Sequence, residues 1–197
     1  MPSLALGLVG AVWVWLRPPA FEAETGLVGI VLAGSLTAAG LLAGAWGLEH
    51  LLPSFRRASR LLERALSRVP LSLPVVVGLA LATSVSEELL FRGALLAWLG
   101  VWPQALLFGL FHPVPLRAWG YQAYTVVAGL VFGYLTVATG SLWAALLAHF
   151  VVNVIGLGQV WRTQRDRRQR QFKRRQPKHD PKDDSKDDDA TPSHLSP

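Results

Sequence analysis

Ser86-Glu87-Glu88-Leu89-Leu90-Phe91-Arg92-Gly93 lies inside the run 71–99, which carries no other Asp, Glu, Lys or Arg. An apolar run of this length reads as a membrane span, because about 20 helical residues cross a hydrocarbon core. Each charged group within a span costs roughly 2.5–3.5 kcal/mol on insertion scales, so three in one segment demand partners inside the protein. Helical spacing supplies one. Glu88 and Arg92 are i and i+4 and share a face, whereas Glu87 is turned about 100° away from Glu88 and lacks that partner. A poorly solvated carboxylate without a cation beside it is a candidate general base.

The rest of the chain agrees with a membrane reading. Of 197 residues 51% are hydrophobic and only 16% charged, and the mean hydropathy is +0.34. Runs 26–48, 93–111 and 118–148 contain no Asp, Glu, Lys or Arg. This excludes an ordinary soluble domain. The net charge of +6 is concentrated beside the apolar runs, where cytoplasmic loops carry it, so it points to a membrane surface and not to nucleic acid. With no Cys, disulfides, thiol catalysis and Cys-ligated zinc drop out. Segment 4–16 lacks a basic leader and is followed by Arg17-Pro18-Pro19 where a signal peptide would have small residues, so it reads as a short first span.

The expected fold is all-α: a polytopic transmembrane helical bundle of about six membrane segments (4–16, 26–52, 71–99, 103–112, 118–139 and 141–161) with a disordered C-terminal tail. The first and fourth segments are short for a crossing and suit half-helices or re-entrant elements packed on protein. Four parts follow: N-terminal membrane segments 1–54, a basic linker 55–70, a membrane core 71–161, and a tail 162–197 that is first basic and then acidic. In the linker, Arg56, Arg57, Arg60, Arg64 and Arg68 interleave with Leu61, Leu62, Ala65 and Leu66, the pattern of an amphipathic helix on a membrane surface. Four segments separate the linker from the basic tail, so both fit on the cytoplasmic side, together with the N-terminus. Both should contact anionic lipid headgroups. Gly40/Gly44 and Gly129/Gly133 have the G-x-x-x-G spacing that permits close helix approach.

Further polar groups stand at or inside later segments. His112 ends Phe108-Gly109-Leu110-Phe111-His112, and His149 and Asn153 are i and i+4 on one helical face. Each has a structural reading: an ion pair that fixes packing for Glu88 and Arg92, a helix-end histidine facing headgroups for His112, an interhelical clamp for His149 with Asn153. Together they account for most of the strongly polar side chains within spans, and such groups face the bundle interior.

At these positions the chain resembles the CAAX-protease and bacteriocin-processing family of intramembrane glutamic endopeptidases. That family carries E-E-x-x-x-R, F-x-x-x-H and H-x-x-x-N in this order, matched here by Glu87-Glu88 with Arg92, Phe108 with His112, and His149 with Asn153. The resemblance covers roughly residues 71–155. It implies a peptidase of a bacterial cell membrane with a polar cavity open to the cytosol. Glu87 would be the general base and His112 would position or polarise the water. His149 and Asn153 would stabilise the oxyanion, while Glu88 and Arg92 support them and Phe108 lines the pocket. The implied substrate is a peptide or membrane protein, including CAAX-type proteins, and the implied mechanism needs no cofactor. Zinc is the alternative, since two His and one Glu can ligate it, although no H-E-x-x-H is present. Two other functions stay open: a non-catalytic scaffold or bacteriocin self-immunity protein of the same fold, and a small transporter or proton relay.

Overall fold

The computed structural model describes residues 2–17, 25–67 and 69–175. All regular structure among them is helical. We number the helices α1 Pro2–Leu16, α2 Leu27–Leu51, α3 Pro53–Leu66, α4 Leu73–Leu99, α5 Val101–Leu110, α6 Trp119–Thr139 and α7 Leu142–Arg175. A 3₁₀ turn, Leu116–Ala118, leads into α6. Among the described residues, four helices are long and apolar enough to cross a membrane: α2, α4, α6 with its leading turn, and α7. Helices α1 and α5 are the two short segments that the sequence marks out.

Residues Met1–Arg162 form one compact unit and Thr163–Pro197 a second. The first is built inside out relative to a soluble domain. Leu27, Leu36, Trp46, Trp98 and Trp143 are among many large apolar side chains on the outer surface. Arg92, Gln104 and Glu88 are among the largest side chains that are fully buried. Lipid can solvate the former but not the latter, so the polar groups gather at the centre. The apolar packing around them is small and close: Ala38 and Leu41 of α2 meet Ala128 and Phe132 of α6 and Ala145 and Ala148 of α7.

Helix α5 is too short to span alone, yet it completes a traverse. Its start at Val101 and Gln104 faces Gly133 of α6, Ala105 faces Gly129, and its end at Gly109 faces Val126. It therefore runs back along α6, and the segment up to the 3₁₀ turn returns the chain to the end where α6 begins. Linker helix α3 lies at that same end, with Ser54 against Gly120 and Phe55 against Tyr121 and Tyr124. Leu66 joins Leu71, Val76 and Val160 in one cluster. Four passes, the short α5 among them, thus separate α3 from the end of the bundle part of α7.

Two expectations change. The basic stretch after Trp161 is helical, not disordered, as far as Arg175. Its Arg and Gln residues are good helix formers, and cations suit the C-terminal end of a helix dipole. The acidic remainder, 176–197, lies outside the described residues. Of the two glycine pairs, Gly129 and Gly133 form the close contact with α5, whereas nothing lies within 4 Å of a Cβ built on Gly40 or Gly44.

The tightest approach to backbone is at a glycine outside both pairs. A Cβ on Gly10 of α1 would lie 2.6 Å from the Leu90 nitrogen and 2.8 Å from the Leu89 carbonyl carbon, and one on Gly7 would collide with Ser86 Oγ. Thus α1 rests on the backbone of α4 beside the charged motif. There α4 departs from α-helical geometry: Leu89–Leu95 is a π-helix, a rare form that occurs mostly at functional sites. Gly10→Ala is expected to lower the thermal midpoint, because backbone cannot yield as a side chain can. Gly40→Ala should raise it, through a gain of about 1 kcal/mol in helix propensity. Midpoints that rise in both variants would show that α1 does not sit on α4.

Candidate active site

Glu87 and Glu88 end the α-helical part of α4, and consecutive positions on a helix point them in different directions. Glu88 is fully buried and Arg92 likewise; Arg92 Nη1 donates to Glu88 Oε1 at 2.9 Å. The pairing expected from i and i+4 therefore survives the π-helix. Arg92 Nη2 donates to the Gly129 carbonyl oxygen of α6 at 3.2 Å. Its guanidinium lies 4.5 Å from the ring centroid of Phe108 and 5.1 Å from that of Phe132. Aromatic faces stabilise a cation that has lost its water.

The same carboxylate oxygen fixes His149. Its Nδ1 lies 2.7 Å from Glu88 Oε1, and a carboxylate paired with arginine is an acceptor, so Nδ1 carries the proton and donates. Phe132 stacks on the imidazole with ring centroids 5.1 Å apart at 20°. His112 has the matching tautomer: its Nδ1 is 2.8 Å from the Phe108 carbonyl oxygen, which can only accept. With one proton per ring, Nε2 is then the bare nitrogen in each. Both point at one atom. Glu87 Oε2 is 3.6 Å from His112 Nε2 and 3.7 Å from His149 Nε2.

These separations exceed a direct hydrogen bond, and Glu87 Oε2 is buried with no hydrogen-bond partner in the protein. Three acceptors facing one another suit a species that donates to several of them at once, and a water molecule does so. Two imidazole nitrogens and a carboxylate oxygen are also zinc donors, with tautomers fixed by a carbonyl and a carboxylate as metal-binding histidines commonly have them. However, the described side chains form no group of three or more His, Cys, Asp or Glu arranged to hold a metal ion.

Asn153 stands apart from this convergence. Its Nδ2 donates to Thr83 Oγ1 at 3.2 Å and to Ser84 Oγ at 3.1 Å. Thr83 and Ser84 lie one helical turn before Glu87, so Asn153 is held on the approach to the carboxylate and not against it. Phe108, expected to line the pocket, is buried and touches Arg92, His112 and His149 through its ring.

Four contributors escaped the sequence reading. Gln104 is buried, and its Nε2 donates to both the Val101 and Gly129 carbonyl oxygens at 3.0 Å. It holds the same carbonyl that receives Arg92. As the sole strongly polar side chain of the apolar helix α5 before His112, it could have been singled out. Phe132 carries no such signal, since an aromatic residue in a span is ordinary. Thr83 and Ser84 were visible one turn from Glu87, but nothing in the sequence pairs them with Asn153.

A cavity of about 380 Å³ adjoins this cluster. His112 lines it together with Ala58, Leu61 and Leu62 of α3, Tyr121 of α6 and Gln159 of α7. It therefore lies at the end of the bundle that bears the basic linker.

Comparison with known proteins bears on the segment that holds all of these groups. Uncharacterized protein YpbD of Bacillus subtilis (strain 168) is 29% identical over 89 residues, 45% of this chain and 47% of that protein. The match thus spans less than half the length of this curated relative. No solved structure matches the chain. The family model described as "Type II CAAX prenyl endopeptidase Rce1-like" matches residues 69–155. That segment starts just before α4 and ends just beyond Asn153, so it contains every residue of the polar cluster, and over it the chain is similar to the Rce1-like family.

Proposed function

We propose that the chain is an intramembrane endopeptidase that hydrolyses a peptide bond of a membrane-associated protein or peptide with water activated by Glu87. The convergence of His112 Nε2 and His149 Nε2 on Glu87 Oε2 carries this reading. Water placed among these acceptors loses a proton to Glu87 as its oxygen attacks the scissile carbonyl carbon. His112, held by the Phe108 carbonyl oxygen, orients that water. The tetrahedral oxyanion then needs donors aimed at it in advance. Asn153, whose two N–H groups are given to Thr83 and Ser84, reaches the oxyanion by exchanging one of those contacts. His149, its Nδ1 held by Glu88, borders the other side with Nε2 3.7 Å from Glu87 Oε2. Collapse of the intermediate breaks the C–N bond, and the proton on Glu87 passes to the leaving nitrogen.

The end of the bundle with the cavity and α3 faces the cytoplasm in this reading, since basic segments stay on that side. Substrate reaches His112 from there. The basic linker and the basic part of α7 add electrostatic attraction to anionic lipid. CAAX-type prenylated proteins are one substrate class suggested by the family description.

Purified protein in detergent or nanodiscs, screened against membrane-associated peptides, is expected to cleave at an internal peptide bond and to retain its rate in the presence of a chelator. A rate that disappears on chelation and returns with zinc would replace the Glu87 mechanism with a metal mechanism. Absence of cleavage, with intact partner binding, would favour a scaffold of the same fold.

A further inference from the structure

Sequence spacing places Arg57, Arg60 and Arg64 at i, i+3 and i+7, on one face of α3. The fold adds Arg117 from the 3₁₀ turn before α6, and the four arginines, with Leu61, surround a recess of about 300 Å³. Among the described residues no ion pair involves any of the four. All four are exposed and carry like charge around one recess, so an anion placed there is attracted from several sides at once. The opposite face of α3, through Ser54, Phe55 and Ala58, is buried in the bundle. Its arginines are thus held on a fixed backbone and do not hang from a free helix.

Guanidinium groups are planar forks that bind phosphate oxygens two at a time, and four of them offer more donors than one carboxylate can use. The surroundings indicate where the phosphate comes from. Leu116 is 88% exposed and Trp119 55% exposed on either side of Arg117, the apolar and aromatic anchors that sit at a membrane interface. We infer that Arg57, Arg60, Arg64 and Arg117 form a discrete site for the phosphate of an anionic phospholipid headgroup. This differs from diffuse attraction of the basic segments to a charged surface, and it holds whether or not the chain cleaves peptides. Because α3 also lines the cavity beside His112, a bound headgroup fixes one wall of the route to the candidate active site.

The test uses full-length protein in phosphatidylcholine nanodiscs containing a minor fraction of phosphatidylglycerol, with retained phosphatidylglycerol counted by native mass spectrometry. One phosphatidylglycerol per protein molecule is expected to persist. Arg60→Gln with Arg117→Gln should weaken its retention roughly tenfold or more, while Arg168→Gln with Arg170→Gln removes equal charge and should leave it nearly unchanged. Arg117→Lys keeps the charge and should also weaken retention, since an ammonium cannot bind two oxygens as a fork. Equal losses in the two double variants, or full retention in Arg117→Lys, would overturn the discrete site. Displacement of the lipid by glycerol phosphate at comparable concentration would overturn the membrane source and assign the site to a soluble phosphate compound.

Discussion

Glu87→Gln is expected to lower turnover by at least roughly a hundredfold, the usual scale for a general base, while leaving the thermal midpoint near that of the parent. Both halves follow from the same geometry. Glu87 Oε2 makes no hydrogen bond within the protein, so an amide of equal shape removes no structural contact. Its new N–H groups can even donate to the bare Nε2 atoms of His112 and His149. What the amide cannot do is accept a proton from water. The neighbouring carboxylate does not substitute, since Glu88 Oε1 is occupied by Arg92 and His149. Turnover and melting should be measured on the same preparation. Near-parental cleavage by well-folded Glu87→Gln, unaffected by a chelator, would sink the assignment of the base.

Much of this site could be read before the fold was known, and the reasons are specific. Glu88 and Arg92 are four residues apart, and local spacing holds in the π-helix closely enough for the 2.9 Å pair to form. Charge-free runs set apart by arginines fixed the span count, because insertion penalties act on sequence directly. What escaped the sequence was long-range. Nothing local indicates that Glu88 also holds His149, 61 positions away, at 2.7 Å. Spacing had put His149 and Asn153 on one helical face, and the family resemblance implied that they act as a pair of donors; the fold gives them different neighbours: Glu88 and Phe132 for one, Thr83 and Ser84 for the other. Composition marked the stretch after Trp161 as too polar to pack. A helix needs no core to continue from a preformed turn, because propagation is easy once nucleation has been achieved.

Arg92→Met should be the most destabilising single change in the bundle, and Glu88 is the reason. Replacing the guanidinium leaves Glu88 as a fully buried carboxylate with His149 as its remaining partner, and stranding one member of a buried ion pair costs about 3–5 kcal/mol. The Gly129 carbonyl oxygen is less affected, since Gln104 Nε2 still donates to it at 3.0 Å. Glu88→Gln alone should be milder: Arg92 keeps an amide oxygen to bond, the Gly129 carbonyl, and the faces of Phe108 and Phe132. Removing both charges together, Glu88→Gln with Arg92→Met, eliminates the stranded carboxylate. The double variant should therefore be more stable than Arg92→Met, even though it carries one more substitution. This inversion is what a double-mutant cycle on thermal or denaturant unfolding in detergent would register. Catalysis should not follow stability, because the double variant no longer presents a carboxylate to His149 Nδ1; its turnover is expected to stay low while its midpoint recovers. Additive losses of stability would show that Glu88 and Arg92 act independently, and a double variant with restored turnover would remove His149 orientation from the work assigned to Glu88.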